Sequence, residues 1–163
     1  MIDETLERAK ALIGSLTPLK SDCGLRCGAA CCRTDEDGQG GVYLFPGERA
    51  EDMPWGTVTD TPFGPMLMCG DWCDRERRPF ACRIFPLTPV RGGNGKLNVR
   101  VDARARGVCP LARGGSRAFD PEFVKAVRGA LRILDEDETD HAFLERWIAD
   151  EQAFRDDIVN SLF

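Results

Sequence analysis

The sequence predicts a small single-domain α+β protein whose irregular, cysteine-rich middle, with short strands, is packed between N-terminal and C-terminal helices. The chain has 163 residues, which suits one compact domain. Helical periodicity marks both ends, whereas residues 23–110 hold all eight cysteines among short apolar runs. We therefore expect one domain over residues 1–163, with a cysteine-rich core at 23–110 and a C-terminal helical segment at 120–163.

The first part of the chain alternates one helix with short strands. Apolar residues recur at helical spacing over residues 3–16, and Pro18 follows as a stop signal. Residues 41–45 and 66–68 are short apolar runs typical of strands. Residues 54–65 contain three prolines and two glycines, so they predict loops or turns.

The last part predicts a hairpin and two helices. Residues 91–95 have turn chemistry, and apolar and polar residues then alternate over 97–101 as in a half-buried strand. Asp120 caps a helix with Pro121 in its first turn. A final helix is expected over about residues 140–162. Its predicted inward face is Phe143, Leu144, Trp147, Ile148, Phe154, Ile158 and Leu162.

Charge is unevenly distributed along the chain. The net charge is -5, yet residues 70–117 carry 11 basic and 4 acidic residues, and residues 118–163 carry 5 basic and 12 acidic residues. A basic patch of this kind suits nucleic acid, but the overall balance opposes that partner. The favoured interpretation is that the arginines offset the charge of a thiolate cluster.

The sequence also bears on location. No stretch approaches the roughly 20 apolar residues that cross a bilayer, so we expect no membrane partner. The N-terminus, Met1-Ile2-Asp3-Glu4, lacks the basic start and apolar run of a secretory signal. The expected location is the cytoplasm, where a reducing environment keeps thiols free. Clustered thiols there indicate metal binding or redox catalysis.

The cysteines are the strongest functional signal. Four of them lie within ten residues, and thiolate is a soft ligand suited to zinc and to iron–sulfur clusters. In a straight helix Cys23 and Cys31 would be ~12 Å apart along the axis, too far for one zinc ion. The chain therefore breaks the helix, or divides the ligands between two sites, and the adjacent Cys31 and Cys32 do not suit one mononuclear metal. The candidate metal ligands are Cys23, Cys27, Cys31, Cys32, Cys69, Cys73, Cys82 and Cys109.

Other residues receive weaker assignments. Arg78 and Arg83 flank Cys82, and they either compensate cluster charge, bind an anionic substrate or form ordinary salt bridges. His141, the only histidine, lies beside an acidic stretch that is typical of a solvated loop. The tryptophans are expected in the core, although Trp72, between Cys69 and Cys73, is also placed to shield a metal from water. The sequence contains no phosphate loop, nucleotide fingerprint or nucleophile elbow.

The pattern resembles the CxxCxxCC family of zinc- or iron-chelating proteins over residues 23–110. Closely spaced cysteines end in a Cys-Cys pair, two further cysteines follow, and then comes an Arg-Pro-x-x-Cys-Arg-x-aromatic-Pro signature, matched from Arg78 to Pro86, with Cys109 as the later cysteine. The first two gaps hold three residues here, where the family usually has two. The resemblance implies metal binding, and the family includes a flagellin lysine methylating enzyme.

We therefore predict a metal-binding protein that holds zinc or an iron–sulfur cluster through cysteine thiolates, with the metal structural or chelated. The alternative is an iron–sulfur enzyme acting in redox chemistry or protein side-chain modification. A third class is a thiol–disulfide protein, although no Cys-x-x-Cys pair of the thioredoxin kind is present. The sequence leaves open whether the chain is an enzyme.

Overall fold

A computed structural model describes residues 3–20, 41–70 and 72–162. The first helix, α1, spans Glu4–Ile13 and begins where the Asp3 side chain accepts a hydrogen bond from the backbone N–H of Leu6 at 3.0 Å. It ends at Gly14, whose φ of 54° suits glycine. The predicted N-terminal helix is thus confirmed, and it stops short of residue 16 because Gly14 turns the chain.

A three-stranded antiparallel sheet follows, with β1 at Val42–Tyr43, β2 at Gly56–Asp60 and β3 at Pro65–Cys69, in the order β1-β3-β2. The strands expected near residues 41–45 and 66–68 are confirmed. The predicted loop over 54–65 is wrong in its first half, where β2 pairs with β3 along all five of its residues. The prolines and glycines flank a Thr-Val-Thr run of strand-forming residues, so they bound the strand and do not disrupt it.

A second, two-stranded sheet is a hairpin of β4, Leu87–Arg91, and β5, Leu97–Val101. The predicted turn lies between them, where the N–H of Gly92 donates to the carbonyl of Lys96 at 2.9 Å. A five-residue helix, α2, spans Phe80–Ile84 and precedes the hairpin. Sequence periodicity did not indicate α2, because one turn of helix is too short to show a repeat.

Two longer helices complete the fold. The first, α3, spans Pro121–Leu134 with Asp120 as its N-cap, and the second, α4, spans Glu138–Ser161. Both were predicted, but the inward face of α4 is right only for its first half. Phe143, Leu144 and Trp147 are buried, whereas three residues near its end are exposed: Phe154, Ile158 and Leu162. The apolar stripe gives the face of a helix, but the buried length depends on where the packing partner ends.

The main hydrophobic core joins the helices to the hairpin. Helix α1 packs on α3, and α3 and α4 pack on β5 and β4 respectively. Fully buried side chains from all three described ranges meet there, including Leu6, Phe45, Phe80, Phe123 and Leu144. A smaller cluster of Leu44, Met53, Trp55 and Leu67 lies under the three-stranded sheet. No helix in the described ranges is long and apolar enough to cross a membrane.

The described middle of the chain is built from short elements only. Between residues 41 and 119, every described strand and helix has five residues or fewer. The α+β class, with a middle of short elements between terminal helices, is therefore as predicted.

Candidate metal centre and basic cleft

Two of the predicted ligands lie at one end of the three-stranded sheet. Cys69 is the last residue of β3, opposite Gly56, and Cys73 follows four residues later. Both side chains are partly buried and pack against the small apolar cluster that contains Trp55. The pair is therefore fixed on a strand end and the adjoining turn, where a partly apolar surrounding limits the access of water.

The other two described cysteines come from separate elements. Cys82 lies within α2, and Cys109 precedes the 3-10 turn Pro110–Gly114, where its backbone N–H donates to the carbonyl of Ala105 at 2.8 Å. Both are half-buried, and no disulfide joins any two of these four described cysteines. Four different local structures thus present the four thiols.

The described thiols do not by themselves form a mononuclear site. A tetrahedral zinc ion with bonds of ~2.3 Å places its sulfurs roughly 3.8 Å apart. Among the described residues, one group of three His, Cys, Asp or Glu side chains has its ligand atoms within 4.8 Å of one another, and it contains no cysteine. In this conformation a single zinc ion therefore takes at most two ligands from the described cysteines.

The remaining candidate ligands lie outside the described residues: Cys23, Cys27, Cys31 and Cys32. A cysteine-only zinc site with four ligands thus needs at least two of them. An iron–sulfur cluster holds its thiolates farther apart than one ion does, because several irons lie between them.

The expectation that every tryptophan is buried is wrong for Trp72. Trp55 and Trp147 are each 5% exposed, whereas Trp72 is 62% exposed. It lies in the turn after β3 has ended, and its ring centroid is 6.0 Å from that of Trp55, which Arg77 covers at 5.6 Å. Trp72 is therefore an exposed ring next to the buried Trp55, which belongs to the cluster that Cys69 and Cys73 contact.

In the part of the chain that the structure describes, one group of ligand-type side chains converges, and it consists of Asp135, His141 and Glu145. The Arg91 guanidinium donates to Asp135 at 2.7 Å and to Glu145 at 2.5 Å, and His141 Nδ1 lies 2.7 Å from the same Asp135 carboxylate. The hydrogen bond from Arg91 holds the pKa of Asp135 below its usual range. The Arg91 guanidinium already bridges the two carboxylates. The group is therefore an ion-pair cluster that joins β4 to the junction of α3 and α4.

Arg78 and Arg83 line an open cleft of about 680 Å³ between the end of α1 and the segment that leads into α2. Arg83 donates from Nε to the carbonyl of Arg78 at 3.0 Å and from one Nη to the carbonyl of Glu76. Burial, and then the nearby charge of Arg78, lower the pKa of Arg83. The predicted arginine pair therefore forms part of a basic cleft. Its basic residues are Lys10, Lys20, Arg75, Arg78 and Arg83.

Three fully buried carboxylates were not predicted by the sequence analysis. Glu48 accepts hydrogen bonds from the backbone N–H groups of Phe45 and Phe80 and pairs with Lys10 at 3.0 Å. Glu151 and Asp140 are both 0% exposed. Asp140 was expected where an acidic, solvated stretch meets the start of the final helix. It lies in the first turn of α4, and its side chain is buried. The sequence signal for such buried carboxylates is an acidic residue at a position that the helical periodicity assigns to the core-facing side.

Comparison of the chain with protein-family models, curated proteins and solved structures found no match. The resemblance to the CxxCxxCC proteins therefore stays a prediction based on the motif residues.

Proposed function

We propose that this chain is a metal-binding protein that holds zinc or an iron–sulfur cluster through cysteine thiolates. The observation that carries the proposal is the density of thiols in the Cys23–Cys32 motif, four in ten residues, followed by four more up to Cys109. Structural buried cysteines are usually scattered, whereas clustered ones with flanking glycines are typical of ligands.

Two features of the fold support this proposal. Cys69 and Cys73 are held on a strand end against an apolar cluster, as ligands of a sheltered centre need to be. The described middle consists of elements of at most five residues, for which a bound metal supplies folding free energy that packing does not. Ligand thiols must remain reduced, so we infer a reducing compartment, the cytoplasm, as the place of action.

Elemental analysis and a visible spectrum of the full chain, purified without oxygen, decide which metal is bound. Zinc at one or two per chain without colour supports a zinc protein, and iron with matching sulfide and a brown colour supports a cluster. The second result also supports the alternative, an iron–sulfur enzyme in redox chemistry or side-chain modification. Protein without metal that keeps its fold contradicts the proposal.

Replacing Cys27 or Cys31 with serine is expected to release metal and to unfold the middle of the chain. The terminal helices should stay partly formed, because α1 and α3 pack directly on each other. Metal stoichiometry and far-UV circular dichroism measure the two effects. Val159→Ser is the matched control, since Val159 is 49% exposed near the end of α4. Full metal content and unchanged melting in both cysteine variants would contradict the assignment.

A further inference from the structure

The basic cleft contains two arginines, Arg78 and Arg83, that could serve an anion. Three acidic residues also line it, Glu7, Glu76 and Asp120, and Arg75 has an interaction of its own. Lys10 is already paired with the buried Glu48 and lies 3.6 Å from Glu7. Within the described ranges, neither Arg78 nor Arg83 forms an ion pair with a carboxylate; each donates to backbone carbonyls instead. The charge of these two guanidinium groups favours an anion in the cleft.

The two guanidinium groups are oriented before any ligand binds. Arg83 is held at two backbone carbonyls, through Nε and Nη2, so its Nη1 group has no partner among the described residues. Arg78 uses only Nε, which donates to the carbonyl of Arg75 at 3.2 Å. Both side chains are half-buried. Oriented, partly desolvated guanidinium groups bind carboxylate and phosphate oxygens well, because little further ordering is needed.

The same cleft has an apolar side. Ala11, Leu16 and Leu19 line it, and Leu16 is continuous with the main hydrophobic core. A volume of about 680 Å³ lies within the range of small-molecule pockets, roughly 300–1,000 Å³. An inorganic anion would leave these apolar groups in contact with water. A ligand with both an oxyanion and a short hydrocarbon part matches the lining better.

We propose that this cleft binds a small organic anion, whose carboxylate-type oxygens contact Arg78 and Arg83 and whose apolar part contacts Leu16 and Leu19. No described cysteine lines the cleft, so the proposal does not rest on the metal site. The arginine pair next to Cys82 then has a ligand-binding role of its own, in addition to any effect on a thiolate centre.

Calorimetric titration of the full chain tests the proposal with three probes: hexanoate, its neutral analogue hexanamide, and inorganic phosphate. Hexanoate is expected to bind with a Kd on the order of 1 mM, as suits a small ligand with one charged group. Arg78→Gln and Arg83→Gln should each weaken it about tenfold, and Lys20→Gln by a few-fold. Arg106→Gln is the control, because Arg106 is exposed and does not line the cleft.

Three outcomes would overturn the proposal. If hexanamide binds as tightly as hexanoate, the negative charge of the ligand is not recognised. If phosphate binds as tightly as hexanoate, the apolar part of the ligand is not recognised. If Arg78→Gln, Arg83→Gln and Arg106→Gln all bind hexanoate equally well, Arg78 and Arg83 do not contact the ligand. Arg83→Gln loses hydrogen bonds to two carbonyls, so melting and metal content are measured with it. If that variant does not fold, Arg78→Gln decides, since Arg78 makes a single backbone hydrogen bond.

Discussion

Replacing Glu151 with alanine is expected to lower the free energy of unfolding by about 3 kcal/mol at pH 7. The Glu151 carboxylate is 0% exposed, and it accepts hydrogen bonds from Arg100 at 2.5 Å and from Arg155 at 2.6 Å. It also accepts the backbone N–H of Ala103 at 3.1 Å. Alanine would leave that buried N–H and two guanidinium groups without this acceptor. The arginines are 29% and 26% exposed, so water recovers part of the cost.

The pH dependence of the same site has a definite sign. Burial alone would raise the pKa of Glu151, but hydrogen bonds from Arg155, Ala103 and Arg100 outweigh it and lower the pKa. A lowered pKa in the folded state means that the contribution is present above the ordinary pKa of 4.5 and is lost as the pH falls through the folded value. The difference between wild type and Glu151→Ala should therefore shrink in acid.

Urea unfolding of both proteins at pH 7 and pH 4 measures this effect. Asp157→Ala is the control, because Asp157 is exposed on the same helix, and its substitution should change stability by less than about 0.5 kcal/mol. Equal midpoints for Glu151→Ala and wild type at pH 7 would show that the ion-pair cluster does not hold α4 against β5 and the turn after it.

The sequence predicted the elements whose signals are local. Asp120 caps α3 as expected, because the cap needs only a short-range hydrogen bond from the following turn. The strand over 97–101 is also as expected, since Leu97 is buried where β5 packs on α3 and the next residue, Asn98, is exposed. In these cases a few neighbouring residues determine the outcome.

Elements that depend on distant partners were missed or misread. β2 forms because Val58 pairs with Leu67 across the sheet, and the Pro- and Gly-rich sequence around it gave no indication of that partner. Phe154, Ile158 and Leu162 continue the stripe of α4, but the core has ended before the helix reaches them. Asp140 and Glu151 are buried by contacts with segments far away in sequence. Long-range packing determines the formation of β2, the buried length of α4 and the burial of the two acids. A local sequence pattern carries no information about such distant partners.

The candidate site shows the same division. The motif predicts the residue types of a thiolate centre, and it also singled out Arg78 and Arg83, which line the basic cleft. It does not give the number of sites, because Cys69, Cys73, Cys82 and Cys109 lie on four separate local structures. Only their arrangement in space limits how many of them one ion can take.

Replacing Asp140 with asparagine is expected to stabilise the protein at pH 8 by about 2–4 kcal/mol, while leaving its stability at pH 4 nearly unchanged. The Asp140 carboxyl is 0% exposed, and neither of its oxygens has a hydrogen-bond partner among the described residues. Burial, with the nearby charges of Asp3, Asp137 and Glu48, raises its pKa to about 7. Asparagine keeps the shape and removes the charge.

The sign follows from the direction of this shift. A folded-state pKa above the ordinary value of 3.8 means that folding favours the protonated carboxyl. Stability from this group is full below about pH 4 and is lost as the pH rises through about 7, at roughly 1.4 kcal/mol per unit. Asp140 thus opposes Glu151, whose contribution is lost in acid. The two buried acids of α4 therefore change stability with pH in opposite directions.

Urea unfolding of wild type and Asp140→Asn at pH 4, 6 and 8 measures the effect, with Asp157→Asn as an exposed control on the same helix. The stability difference should grow with pH for Asp140→Asn and stay near zero for the control. A difference that is constant from pH 4 to pH 8 would mean that Asp140 is ionised, or neutral, throughout that range. The cost of its burial would then not depend on titration.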